Sequence, residues 1–308
     1  MRILLTGPSG QVGSELLRTL ALCGEVIAVD RAQLDLEDQS AIGRILQEIK
    51  PNLVVNAAAY TDVDGAEHEF EQAESVNAVA PGILAKEAKK LGAAFIHYST
   101  DYVFDGSKES PYTPDDQPNP INNYGRSKLA GEKAVAASKA SWLIFRTSWI
   151  HSLQGTNFVS SILRQSKVKS EIEVADDQIG NPTWSRVVAE TTAEIIRHSL
   201  TQTNGNWNFS SNEGIYHLVC EGSASWFDFA KRIVELAGPQ PGPTVIPIDS
   251  QEHFNVANRP RYSALSCYKT TSTFNVVLPN WEVALEKSLE VGQLLTGSPT
   301  AYRTREAS

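Results

Sequence analysis

The chain has 308 residues, 41% of them hydrophobic and 20% charged, with a mean hydropathy of −0.25. Those figures fit one large globular domain or two ordinary ones and exclude a disordered, collagen-like or membrane-spanning polypeptide. A formal net charge of −9, from 27 Lys+Arg against 36 Asp+Glu, argues against nucleic acid or an acidic membrane surface as partner, while leaving room for a small phosphorylated ligand.

The first eight residues hold too short an apolar run for a signal peptide. Cys23, Cys220 and Cys267 are odd in number and far apart. They predict neither a disulfide framework nor a structural zinc site, and fit a reducing, cytoplasmic setting.

Short runs at 3–6, 26–30, 53–57, 95–99 and 143–147 are nearly continuously apolar, as strands buried on both faces must be. Helical patterns at 11–22, 40–49 and 67–91 lie between them. Strand–helix alternation with short connections predicts right-handed βαβ units and an α/β fold built on a doubly wound parallel sheet. Past about residue 170 the rhythm loosens. Strands are expected at 172–175 and 216–219, helices at 187–200 and 226–237, a stiff proline-rich loop at 239–243 and a polar tail at 297–308. The expected organisation is a nucleotide-binding domain over 1–170 and a smaller, interleaved substrate domain over 171–308, some of whose segments return to the first sheet.

Directly after the first strand stands Thr6-Gly7-Pro8-Ser9-Gly10-Gln11-Val12-Gly13. Glycines here permit a left-handed turn, let a pyrophosphate approach the backbone and allow the helix to pack closely on the strand. The helix start adds unpaired N–H groups and a positive dipole end. Asp30 ends the next strand, where a carboxylate accepts from the adenosine ribose hydroxyls, which favours NAD. Arg31 follows and suits a 2′-phosphate, so NADH and NADPH both stay open. Asp35 and Leu36 offer the adenine a polar and an apolar contact, and the small side chains of 57–59 leave room at a strand's carboxyl end. Asp64 and Glu67 have the spacing of a helix cap.

Tyr124 and Lys128 form the one Tyr-x-x-x-Lys in the chain, one helical turn apart on a common face. An ammonium beside a phenol is expected to bring its pKa toward the working range, making the tyrosine an acid–base group. The strand before this helix ends in His97-Tyr98-Ser99-Thr100-Asp101-Tyr102-Val103-Phe104-Asp105-Gly106. Thr100 there is placed to hydrogen-bond a substrate oxygen, whereas His97, inside an apolar run, reads as a packed strand residue.

On these segments, with 145–149, 178–183 and 259–265, the chain resembles the extended short-chain dehydrogenases/reductases, and among them those acting on nucleotide-linked 4-keto sugars. The resemblance covers most of the chain and implies a Rossmann-type fold. The implied reaction is NAD(P)H-dependent reduction of the 4-keto group of dTDP-4-dehydro-β-L-rhamnose to dTDP-L-rhamnose, for cell-surface polysaccharide. Tyr124, Lys128 and Thr100 are then catalytic. Gly7, Gly10, Gln11, Val12, Gly13, Asp30, Arg31, Asp35, Leu36, Ala59, Tyr60 and Thr61 bind the cofactor together with Tyr124 and Lys128. Thr100, Asp101, Trp149 and Arg259 meet the dTDP-sugar.

Some members of the group form a magnesium-bridged dimer through acidic residues. Glu15 matches one such position but Arg186 stands at the other, so no metal is expected and a homodimer is left open. Two other readings stand beside the reductase. Another nucleotide-sugar epimerase or reductase shares the pattern, although Asp101 is followed by Tyr102 where a dehydratase needs a second carboxylate. A non-catalytic regulatory subunit of the methionine adenosyltransferase type shares it as well.

Overall fold

The computed structural model describes residues 1–202, 207–209, 211–250 and 256–296, so the tail expected at 297–308 lies outside the described residues. Five strands, β1 (Arg2–Thr6), β2 (Glu25–Val29), β3 (Leu53–Asn56), β4 (Ala94–Thr100) and β5 (Ser141–Thr147), join a sixth, Gly214–His217, in one sheet. Its spatial order is the sixth strand, then β5, β4, β3, β1 and β2, and every neighbouring pair is parallel.

Successive residues of a strand point to opposite faces, so a continuously apolar strand feeds two cores. Ile3 and Leu5 enter one cluster and Leu4 the other; Ala94 and Ile96 separate from Phe95 in the same way, and Leu143 and Phe145 from Ile144. Each such leucine, isoleucine or phenylalanine side chain, fully withdrawn from water, stabilises the fold by roughly 1.5–3 kcal/mol. The helix α1 (Gln11–Leu20) buries Leu16 and Leu20 in the first cluster. The helix α2 (Gln39–Ile49) buries Ala41, Ile42 and Leu46 in the second, and its start is capped by the Asp38 carboxylate, which accepts from the Ser40 and Ala41 N–H groups.

The helical stretch expected over 67–91 is broken into four pieces. A 3-10 turn (Gly65–Glu67), a short helix (Phe70–Glu74), a π turn (Ser75–Val79) and the helix Ala80–Lys90 follow one another. Pro81 near the start of the last helix has no N–H to return to Asn77, so the α ladder cannot run through and the chain widens there.

In the second half, the strand Glu171–Ala175 pairs in parallel with Thr244–Ile248, and the helix Trp226–Ala237 occupies the expected range. The strand expected at 216–219 begins two residues earlier, in register with β5. At the carboxyl ends of β1 and β3 the Thr6 hydroxyl donates to Asn56 Oδ1 at 2.6 Å, and the Asn56 amide meets His97 Nδ1 at 3.1 Å. His97 is fully buried, and burial pushes its pKa well below the ordinary value, as a packed strand histidine requires.

Candidate active site

A cleft of about 950 Å³ opens along the carboxyl ends of the parallel strands, near the upper end of what small-molecule sites enclose. Its floor is the glycine turn. Gly7 has φ +67°, and a Cβ there would press on the Ala58 backbone; a Cβ at residue 13 would overlap the Gly7 carbonyl oxygen. The turn closes through Gly10 N–H donating to the Gly7 carbonyl at 3.1 Å. Helix α1 then starts at Gln11, with no side-chain cap from Gly10 before it and no acidic residue in its first turn. Its first N–H groups are therefore left for a ligand's phosphates.

The other wall comes from β4, β5 and the helix Asn123–Ala137. Asn122 caps that helix by accepting from Gly125 N–H at 2.7 Å, and Glu67 Oε1 accepts from Asn123 N–H at 2.7 Å. Lys128 is 2% exposed, and its ammonium donates to the Tyr98 carbonyl oxygen at 2.6 Å. Burial lowers the Lys128 pKa to about 8, with Glu132 working the other way. Burial also pushes the Tyr124 phenol up to about 12, against the opposing effect of the Thr100 hydroxyl. The expectation that Lys128 draws the phenol's pKa down is thus corrected: removal from water dominates, and the phenol holds its proton at neutral pH.

Thr100 ends β4 and caps the next turn, accepting from Tyr102 N–H and donating to Asp101 Oδ1, both at 3.1 Å. Asp101 is 3% exposed. It accepts from the Ser148 hydroxyl at 2.9 Å and from the Ser263 hydroxyl at 2.6 Å. Burial raises its pKa to about 6, and the three hydroxyls partly offset that rise. Trp149, at φ +46°, stacks on Trp226, and Gly180 leaves the space its indole fills.

Most residues singled out in the sequence meet in this one cleft. Gly7, Gly10, Gln11, Val12, Asp30, Arg31, Asp35, Leu36, Ala59, Tyr60, Thr61, Thr100, Asp101, Tyr124, Lys128 and Trp149 all line it. Gly13 lies behind the lining, packed on the Gly7 carbonyl. Arg259 is outside the lining too, with its guanidinium on Asp64 at 2.7 and 3.2 Å. That pairing overturns the cap reading of Asp64. Its carboxylate makes no cap bond, accepts instead from Arg259 and Ala257 N–H, and is held below its ordinary pKa by Arg259. Glu15 and Arg186 face one another in a two-pronged pair at 3.1 Å.

Other contributors carry no motif. Asn77, on the π turn, bonds both the N–H and the carbonyl of Tyr60 at 2.9 Å and so holds the segment that lines the cleft. Ser148, Ile150 and Thr156 also line it, as does Glu69, which accepts from the Tyr60 hydroxyl at 2.7 Å and pushes that phenol up to about 12.

The residues present fit a nicotinamide dinucleotide. The glycine turn packs Gly7 and Gly13 tightly on neighbouring backbone and opens Gly10, with the uncapped start of α1, onto the cleft. Gln11 Oε1, Ser99 Oγ and Thr147 Oγ1 line the cleft, are buried and find no hydrogen-bond partner among the described residues. Buried polar atoms are otherwise paired as a rule, so these three orphans on residues lining the cleft suit polar ligand atoms.

The chain is similar throughout its length to proteins of one family. Residues 1–293 match the family model described as RmlD substrate binding domain. A dTDP-4-dehydrorhamnose reductase of Burkholderia thailandensis is 41% identical over 291 residues, spanning 92% of this chain and 97% of that protein. The crystal structure of a dTDP-4-dehydrorhamnose reductase from Clostridium acetobutylicum superimposes with a TM-score of 0.88 at 35% identity, covering 95% of this chain and 100% of that one. That of the Bacillus anthracis enzyme, in complex with NADP, gives 0.84 at 34% identity, covering 94% and 99%.

Proposed function

The chain belongs to the RmlD substrate-binding family, and from that membership we propose that it reduces the 4-keto group of dTDP-4-dehydro-β-L-rhamnose to dTDP-L-rhamnose, a step of dTDP-rhamnose biosynthesis. It is an NAD(P)H-dependent oxidoreductase with a Rossmann-type sheet. The observation that carries the reading is the opening of Thr100, Tyr124 and Lys128 onto the same cleft as the glycine turn.

The reduced nicotinamide, when bound, supplies hydride to the carbonyl carbon. The chain's own groups handle the oxygen. Tyr124 donates its proton to that oxygen, and a phenol held at about pKa 12 arrives at neutral pH with the proton in place. An alkoxide is a stronger base than a phenolate, so the transfer runs downhill. Thr100 supplies a second hydrogen bond to the same oxygen by turning its hydroxyl from Asp101. Lys128, one turn along the helix, brings positive charge near the phenolate left behind. Asp101 receives sugar hydroxyls, and Trp149 gives the sugar an apolar wall.

We further assign the protein to the cytoplasm, supported by Cys23, Cys220 and Cys267 all being free thiols. Among the described residues no helix is long and apolar enough to cross a membrane. The test is direct: purified protein with dTDP-4-dehydro-L-rhamnose and NADH or NADPH should consume reduced coenzyme one-for-one with dTDP-L-rhamnose formed. Tight coenzyme binding with no turnover of that sugar would refute the reductase reading and favour a regulatory protein.

A further inference from the structure

The adenosine end of the cleft carries one cation among three carboxylates. We propose that this arrangement selects the coenzyme with a free 2′-hydroxyl, NADH, over its 2′-phosphorylated counterpart, with Glu37 as the specificity-determining residue. The inference rests on the reductase reading and narrows it.

Arg31 is the cation a 2′-phosphate needs, and it is already engaged. Its Nη2 lies 2.6 Å from Glu37 Oε1 and its Nε 3.5 Å from Asp35 Oδ2. Glu37 is anchored from the opposite wall as well, where Gln72 Nε2 donates to the same Oε1 at 2.8 Å. Asp30 is fixed at the end of β2, its Oδ1 accepting from Ala32 N–H at 3.0 Å and Gln33 N–H at 3.1 Å. All five side chains line the cleft, so Arg31 stands against three carboxylates there.

A phosphomonoester brings a further charge of about −1.5 to −2 near neutral pH. It would have to displace Glu37 from Arg31 and would still face Asp30 and Asp35. A ribose diol brings only donors, which carboxylates accept without any change in the Arg31–Glu37 pair. The pair is partly exposed, so its effect should be a preference rather than an exclusion, and should weaken as salt rises.

The test reads coenzyme binding alone, with no sugar present, from the fluorescence of NADH and NADPH titrated with wild type, Glu37→Gln, Arg31→Ala and the double variant. Wild type should bind NADH about tenfold more tightly than NADPH. Glu37→Gln should free Arg31 and reduce that ratio by about fivefold or more, chiefly through tighter NADPH binding. Adding Arg31→Ala should cancel the gain. Equal or tighter NADPH binding by wild type, or a ratio that Glu37→Gln leaves in place, overturns the proposal while leaving the reductase reading intact. Binding of neither coenzyme overturns that reading and the proposal together.

Discussion

Trp149 and Trp226 stack with ring centroids 3.5 Å apart and planes 6° from parallel. Trp149 faces the cleft from a left-handed backbone conformation that bulky residues seldom adopt, so something must hold it. Trp226, at the start of the helix Trp226–Ala237, is that support, with Phe158 tilted against it at 4.4 Å. Trp226→Ala should therefore raise the KM for the sugar nucleotide by about tenfold, equivalent to roughly 1.4 kcal/mol, with NADH affinity unchanged. Initial rates and coenzyme titration, side by side, check it.

Tyr124→Phe removes the proton donor and keeps the ring, including its edge contact with Tyr102. Turnover should fall by roughly 10²–10⁴-fold with coenzyme affinity nearly unchanged. Single-turnover coenzyme oxidation measures the loss at the chemical step.

Asp101 links the chain's two halves through Ser148 and Ser263 and titrates near pH 6, well above an unfolded aspartate. Between the unfolded value and about 6 the native state binds the extra proton, so this residue's contribution to stability declines as pH rises through that window. Asp101→Asn should accordingly gain melting temperature relative to wild type at pH 8, and the gain should shrink toward pH 5. Paired melting curves across that range test the sign, while reductase activity should drop at every pH.

Arg146 and Glu132 form a two-pronged ion pair at 2.7 and 2.8 Å, 1% and 2% exposed respectively. Glu132→Ala leaves the guanidinium buried without its counter-charge and should cost about 3–5 kcal/mol of stability. Denaturant unfolding of the variant reads this directly.

The amino-acid sequence alone determined the five sheet strands of the first half, the glycine turn and the Tyr124–Lys128 spacing. These are written in local periodicity: apolar runs that need two buried faces, glycines where a side chain would collide, a repeat of one helical turn. The tertiary structure decided what those local signals cannot carry. Pro81 widens the long helix that periodicity implies over 67–91 into a π turn, and Asn77 on that turn matters because of a contact with Tyr60 that no spacing announces. Asp64 and Glu67 have cap spacing, yet one carboxylate pairs with Arg259 and the other caps a helix beginning at Asn123. A carboxylate binds whichever donor the fold brings nearest, and donors more than fifty residues away along the chain leave no trace in the pattern around it.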